Sequence, residues 1–202
     1  YSVAPETFPV ALMELAKAVA LVKSHACEWN IDTERIMVCG FSAGGHLAAC
    51  LGMMWNRDFL YGPLNMAPED IQPKGMILCY PVITSGEFGH KRSFEQLLGG
   101  KAGDPRLREL VSLELQTGPH TPRTFLWHTW TDQSVPAENS LLLAQALKKA
   151  GVSLEMHIYP SGCHGLSLAT EEVSDSTGDC LVPHCQGWME LVKEWIKEKD
   201  RE

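Results

Sequence analysis

The feature that most constrains the fold is an eight-residue stretch, VCGFSAGG, with Ser42 near its centre. A continuous apolar run at 36–39 leads into it, and a run of small and apolar residues at 46–54 leads out. This order predicts a buried strand, a sharp turn and a helix, with the serine at the apex. We expect both glycines that flank the Phe-Ser-Ala segment to be required, because such a turn brings backbones too close for Cβ atoms.

A serine on such a turn is a candidate nucleophile. The helix after it directs its first amides toward the place where an oxyanion would form, so the Ala43 N–H is the expected donor of an oxyanion hole. Gly44, the next residue, is a candidate substrate contact. The Gly-x-Ser-x-Gly pattern alone is weak, since a glycine-rich turn can also serve only for packing or bind an anion.

Three further apolar runs, at 76–80, 124–127 and 154–159, predict strands. The last of these alternates more than the others, as expected near a sheet edge. Amphipathic and capping patterns predict helices, and Pro-rich or polar composition predicts loops. The expected helices lie at 10–29, 46–54, 93–98, 105–110, 136–150 and 188–196, and the expected loops include 1–9, 55–74 and 170–183. This order predicts the α/β class, with a mostly parallel sheet and helices on both faces.

The composition fits one domain over residues 1–202. The chain is 45% hydrophobic and 21% charged, which is enough for one sizeable core. Its formal net charge of −8 and pI near 5.5 argue against nucleic acid or an anionic membrane as a partner. The sequence contains no apolar run of 18 residues, so no membrane span is expected.

The seven cysteines are scattered and odd in number. We expect Cys39 and Cys79 to lie in buried strands and Cys50 in a buried helix, where cysteine behaves as a small apolar residue. Reduced thiols favour a cytosolic location. Cys180, His184 and Cys185 could form half of a zinc site, but no second pair with matching spacing accompanies them. We therefore expect no metal and no cofactor.

Three candidate catalytic residues follow three different predicted strands. Ser42 follows the first, Asp132 the third and His164 the fourth, with spacings of 90 and 32 residues. Because the carboxyl ends of parallel strands meet at one edge, we expect these side chains to come into contact. An imidazole that a carboxylate orients can remove the proton of a serine hydroxyl. Asp132 could instead stabilise only its own loop, and His164 could be a turn residue.

Other polar and aromatic residues have simpler expected roles. Trp130 and Trp55 are expected to pack in the core, with stacking on a sugar ring as the alternative. Cys163 is expected to be a bystander beside His164. The remaining histidines are expected to be structural or solvated: His25, His46, His90, His120, His128, His157 and His184.

The chain resembles the α/β-hydrolase superfamily, and more narrowly the bacterial acetyl xylan esterase-like (BD-FAE-like) esterases. The matching stretches are 1–5 (YSVAP), 40–49 (GFSAGGHLAA), 80–83 (YPVI), 121–129 (TPRTFLWHT), 132–136 (DQSVP) and 162–165 (GCHG). The resemblance implies that Ser42 is the nucleophile, Asp132 the acid and His164 the base. It also implies hydrolysis of short acyl esters, typically acetyl groups on sugars, so a small-molecule ester or an acylated oligosaccharide is the expected partner.

The chain departs from that family at its start. The family has upstream strands and a glycine-rich loop with the second oxyanion donor, and nothing of this kind precedes Tyr1. We therefore expect an α/β-hydrolase fold without its N-terminal strands, from a truncated sequence. Two rival functions stay open. One is a peptidase of the prolyl oligopeptidase kind, and the other is a non-catalytic binding module on the same fold.

Overall fold

A computed structural model describes residues 8–174, 178 and 180–198. Most of the leading loop, the YSVAP match and part of the acidic loop lie outside the described residues. The helices and strands are α1 (Val10–Ser24), α2 (Ala26–Trp29), β1 (Met37–Phe41), α3 (Ala43–Met54), α4 (Asp58–Tyr61), α5 (Pro68–Ile71), β2 (Gly75–Cys79), α6 (Lys91–Leu98), α7 (Pro105–Leu110), β3 (Arg123–Thr129), α8 (Glu138–Ala150), β4 (Leu154–Tyr159) and α9 (Trp188–Lys197). Short 3-10 turns lie at Thr33–Arg35, Gly99–Lys101, Leu113–Leu115 and Pro183–Cys185.

The four strands of the described chain form one parallel sheet in the order β1-β2-β3-β4. Gly75 of β2 lies opposite Met37 of β1 and Arg123 of β3, and Thr124 of β3 lies opposite Leu154 of β4. Neighbours in sequence are therefore neighbours in the sheet. The predicted parallel sheet is confirmed, and all strand ends that precede candidate site residues lie at one edge.

Both faces of the sheet are covered by helices. On one face, Met76 and Leu78 of β2 belong to a core cluster with residues of α1, α3 and α8. On the other face, Ile77 and Cys79 belong to a second cluster with Trp188 of α9. This burial on both faces explains why the central strands β2 and β3 contain continuous apolar runs, whereas the edge strand β4 alternates.

One helix prediction and one loop prediction need correction. The helix expected at 10–29 is interrupted at His25, whose ψ of 9° departs from the helical value, and it resumes as α2. The expected loop at 55–74 contains α4 and α5. Pro68 is the first residue of α5, where its missing N–H costs no helical hydrogen bond. A proline interpreted as a loop marker is thus a helix start.

Cys39 is exposed, so the prediction that it is buried is wrong, whereas Cys50 and Cys79 are buried as expected. Cys39 faces the same side as α9, but α9 packs over the centre of the sheet, where its Trp188 stacks on Trp127 of β3 at 5.3 Å between ring centroids. On β1, Phe41 lies 6.0 Å from Trp188 between ring centroids and Met37 packs against the same cluster, whereas Cys39 between them stays exposed. The cytosolic location that cysteine usage suggested stays a prediction.

Across the part of the chain that the structure describes, no helix combines the length and apolar character that a membrane crossing requires.

Candidate active site

The turn at Ser42 joins β1 directly to α3. Ser42 itself has φ 54° and ψ −120°, a conformation in which non-glycine residues are strained. Its backbone is held on both sides: the N–H donates to the Cys79 carbonyl at 3.0 Å, and the carbonyl accepts from the Val82 N–H at 3.1 Å. These two bonds fix the serine over the carboxyl end of β2.

The glycines of this turn differ in their steric roles. A Cβ on Gly40 would lie 2.1 Å from the Gly44 carbonyl oxygen, so the close approach predicted there is confirmed. A Cβ on Gly44 would meet no atom within 4 Å, so the same expectation for Gly44 is wrong. The second tight position is Gly45, whose Cβ would lie 2.8 Å from the Pro81 Cβ. At its start, helix α3 thus approaches the segment that follows β2 through Gly45 rather than Gly44.

The three candidate catalytic side chains form one hydrogen-bonded chain. The Ser42 hydroxyl donates to His164 Nε2 at 2.7 Å. His164 Nδ1–H donates to Asp132 Oδ2 at 2.6 Å. The structure therefore brings together residues that lie 122 and 32 positions apart in the sequence. This arrangement can transfer the serine proton to an imidazole that a carboxylate orients.

The Asp132 carboxylate is buried and saturated with donors. Its Oδ1 accepts from the Ser134 and Val135 N–H groups, both at 2.9 Å, and its Oδ2 accepts from His164 and from His128 Nε2, the latter at 3.2 Å. Burial alone would raise the pKa of this carboxyl, but the hydrogen bonds from His128, His164 and Val135 hold it well below the usual range. Asp132 is therefore ionised at neutral pH. It stabilises its own loop, as the alternative supposed, and also faces His164.

The His164 imidazole lies against an aromatic ring that the sequence reasoning did not assign to the site. Tyr80, which follows β2, presents its ring at 5.1 Å between centroids and 71° to His164. Its hydroxyl oxygen accepts from the Ser167 N–H at 2.9 Å, so Tyr80 also anchors the loop after His164. Burial raises the pKa of the Tyr80 phenol, which keeps it protonated. The only sequence feature that pointed to Tyr80 is that it begins the stretch YPVI at 80–83, one of the stretches that resemble the family.

The remaining predicted site residues take different positions. Ala43 is the first residue of α3 and directly follows Ser42, and Gly44 follows it on the same turn of helix. Trp130 follows β3 and is 60% exposed, so the expectation that it packs in the core is wrong. Trp55 is half-buried against the core, and its indole N–H donates to the His120 carbonyl at 3.2 Å. The roles of Ala43, Gly44 and Trp130 stay predictions.

Within the described ranges, no group of three histidine, cysteine or acidic side chains could hold a metal ion. In the half-site proposed from the sequence, Cys185 is buried, whereas the His184 ring packs edge-on against Tyr159 at 5.6 Å between centroids.

The profile of the BD-FAE family matches residues 1–147, which is more than half of the sequence. The chain belongs to the BD-FAE family. Among curated proteins it is 37% identical over 161 residues to endo-1,4-beta-xylanase B of Butyrivibrio fibrisolvens, a match that covers 80% of this chain and 25% of the xylanase. It is 33% identical over 169 residues to an acetylxylan esterase of Xylanibacter ruminicola, covering 81% of this chain and 32% of that protein.

Solved structures with the α/β-hydrolase fold match most of this BD-FAE chain. An acetyl ester-xyloside bifunctional hydrolase from Caldicellulosiruptor lactoaceticus superimposes with a TM-score of 0.79 and 39% identity, covering 94% of this chain and 66% of that one. A carboxylesterase from Lactobacillus plantarum gives a TM-score of 0.81 at 29% identity, covering 94% and 68%. The α/β-hydrolase fold is therefore confirmed. The chain spans about a quarter to a third of the curated relatives and about two thirds of these structures.

Proposed function

We propose that this chain carries the reactive centre of a serine carboxylesterase. Ser42 is the nucleophile, His164 is the general base and acid, and Asp132 orients the imidazole. The observation that carries the proposal is the unbroken hydrogen-bond chain from the Ser42 hydroxyl through both ring nitrogens of His164 to the buried carboxylate of Asp132. Membership of the BD-FAE family supports it.

In the first half of the reaction, His164 Nε2 takes the hydroxyl proton as Ser42 Oγ attacks the ester carbonyl carbon. The carbonyl π electrons move to its oxygen, and the backbone N–H of Ala43 stabilises the resulting oxyanion. When the tetrahedral intermediate collapses, the alcohol leaves with the proton from His164 Nε2. Asp132 stays ionised throughout and stabilises the imidazolium through Nδ1–H.

In the second half, water replaces the alcohol. His164 removes a proton from the water, whose oxygen attacks the acyl-serine carbonyl, and the same oxyanion site is used again. Collapse releases the carboxylic acid and returns the proton to Ser42 Oγ. The four groups named above and water account for every proton transfer, while the second oxyanion donor is expected from the family's glycine-rich loop rather than from these groups.

For the substrate we propose short acyl esters, acetyl esters first, on a sugar or a xylan fragment. Two of the relatives reported above are named for acetylxylan and for acetyl ester-xyloside hydrolysis, which supports this class. Trp130 offers an exposed indole two residues before Asp132, and such a ring can stack on the apolar face of a sugar.

The test compares the complete gene product with its Ser42→Ala variant on p-nitrophenyl acetate. We expect the variant to lose activity by about 10³-fold or more, because no other group replaces the serine nucleophile. Equal rates would refute the proposal. A panel of acetyl, butyryl and octanoyl esters then measures acyl preference, and acetylated xylo-oligosaccharides test the sugar. Faster cleavage of a dipeptidyl amide than of any ester would favour a peptidase instead.

A further inference from the structure

His128 is the next-to-last residue of β3 and lies beside Asp132. The side chains of both residues are fully buried, at 0% exposure. The three β3 residues before it, Phe125, Leu126 and Trp127, are apolar and buried. A fully buried imidazole at the end of such a strand is unfavourable unless its two nitrogens find partners. The hydrogen-bond partners of the two nitrogens therefore indicate the role of this imidazole.

Both nitrogens of His128 have defined partners. Nε2 lies 2.9 Å from the Val135 carbonyl oxygen and 3.2 Å from Asp132 Oδ2. Both are acceptors, so Nε2 carries a proton and donates to both. Nδ1 lies 2.7 Å from the Ser140 hydroxyl on α8, which can donate to it. The ring is thus held from α8 and directs its one N–H at the Asp132 turn.

This N–H connects the two ends of that turn. The Val135 N–H donates to Asp132 Oδ1, while the Val135 carbonyl accepts from His128. Rotation of the carboxylate would break the bond from His128 to Oδ2 and move Oδ2 away from His164. A carboxylate whose two oxygens have donors on separate sides has one favourable orientation.

We propose that His128 is a positioning residue for the active site: its Nε2–H holds the turn at Asp132–Val135 so that Asp132 Oδ2 faces His164 Nδ1. The inference rests on the proposed function, in which the bond between Asp132 and His164 orients the general base. His128 has no part in the chemical steps and acts only through Asp132. It contacts Asp132 but neither Ser42 nor His164, the two residues that exchange the proton.

The test uses two amide substitutions at this position. His128→Gln places an N–H donor near the position of Nε2, whereas His128→Asn reaches only as far as Nδ1 and removes the donor to Asp132 and Val135. Both variants are neutral and polar, so they differ chiefly in that donor. Circular dichroism and thermal unfolding confirm that each is folded.

Two readouts apply to the complete gene product and its variants. For p-nitrophenyl acetate, we expect His128→Asn to lower kcat by about tenfold with little change in KM, and His128→Gln to stay within about threefold of the parent. In proton NMR, the His164 Nδ1–H in its short bond to Asp132 should give a far-downfield resonance, identified by its loss in His164→Ala. We expect this resonance to persist in His128→Gln and to disappear in His128→Asn.

Parent-like kcat and an unchanged downfield resonance in His128→Asn would overturn the proposal. Equal decreases in kcat for folded His128→Asn and folded His128→Gln would overturn it as well. If Ser42→Ala matches the parent rate, the proposed function fails, and the resonance alone still decides the role of His128. If His128→Asn does not fold, Ser140→Ala replaces it, because this change removes only the hydroxyl that orients the ring. In Ser140→Ala, a decrease in kcat of about threefold together with a broadened His164 resonance supports the proposal. An unchanged kcat and an unchanged resonance overturn it.

Discussion

At the scale of single residues, the Ser42 turn depends on one close backbone contact. Ser42 is strained at φ 54°, and the surrounding structure must hold it there. Gly40 makes this possible because its Cα lies against the backbone of Gly44. Gly44 itself has open space at its Cβ position, although the Gly-x-Ser-x-Gly pattern treats the two glycines alike. The structure therefore distinguishes positions that the sequence pattern does not.

We predict that Gly40→Ala destabilises the protein and that Gly44→Ala does not. A Cβ at Gly40 would lie 2.1 Å from a carbonyl oxygen, so the backbone must move, and the free energy of unfolding should fall by about 2 kcal/mol or more. Gly44→Ala adds a better helix former in open space, so the free energy of unfolding should stay level or rise by up to about 1 kcal/mol. Urea denaturation of the two variants measures both. Equal destabilisation would contradict this account of the turn.

At the scale of elements, α3 is joined to the long segment after β2 by a buried histidine. His46 Nε2–H donates to the Val111 carbonyl at 2.9 Å, and the ring lies edge-on to Phe94 of α6 at 5.5 Å between centroids. Burial lowers the pKa of His46, and the hydrogen bond to Val111 raises it by less. The net result is a pKa of about 4. The imidazole in this packed layer is therefore neutral at working pH.

We predict that His46 makes the protein less stable in mild acid. In the unfolded chain this group takes up its proton near pH 6.5, whereas in the folded chain it does so near pH 4. The unfolded state therefore binds more protons between these values, and the free energy of unfolding falls as the pH drops through this window. The loss from His46 is on the order of 3 kcal/mol, complete near pH 4.

The measurement is urea denaturation of the parent and His46→Gln from pH 7 to pH 4. Glutamine keeps an N–H donor for Val111 but does not titrate, so the free energy of unfolding of the variant should fall less steeply. The difference between the two curves isolates His46 from all other titrating groups. Parallel curves over this window would show that His46 does not cause the acid sensitivity.

Much of the sheet could be predicted because the central strands β2 and β3 are buried on both faces and the outer strands β1 and β4 are also short runs rich in apolar residues. The observed strands β1, β2, β3 and β4 lie within two residues of their predicted bounds. Short helices were harder, because a four-residue helix such as α5 shows no apolar periodicity and begins at a proline that also marks loops. The break in the first helix at His25 could not be predicted either, because the apolar spacing continues through it.

The meeting of Ser42, Asp132 and His164 could be predicted because the ends of neighbouring parallel strands share one edge. Their catalytic roles stay predictions. Contacts such as Tyr80 with His164 and His128 with Asp132 could not be predicted, since they depend on side-chain directions that sequence spacing does not encode. The exposure of Trp130 could not be predicted either, because an aromatic residue just past a buried strand has the same local sequence pattern whether its side chain packs in the core or points to solvent.

At the scale of the whole molecule, the candidate site is positioned by three layers: the sheet and the helices on each of its two faces. The sheet sets the distance between the strand ends, and α3 and α8 on one face hold the residues near Ser42 and His128. On the other face, Trp188 of α9 donates its indole N–H to the Ser167 carbonyl at 2.9 Å, just beyond His164. Each of the three candidate catalytic side chains is therefore supported by a different part of the core, and no single helix or strand holds the site alone.

The most direct test of the central claim is labelling of the complete gene product by a fluorophosphonate, with the modified residue mapped by peptide mass spectrometry. The account predicts that the phosphonyl group is attached to Ser42, that Ser42→Ala is not labelled, and that His164→Ala is labelled at least about 10²-fold more slowly than the parent. Attachment at another residue, or labelling of His164→Ala at the parent rate, would contradict the claim that these side chains form one reactive centre.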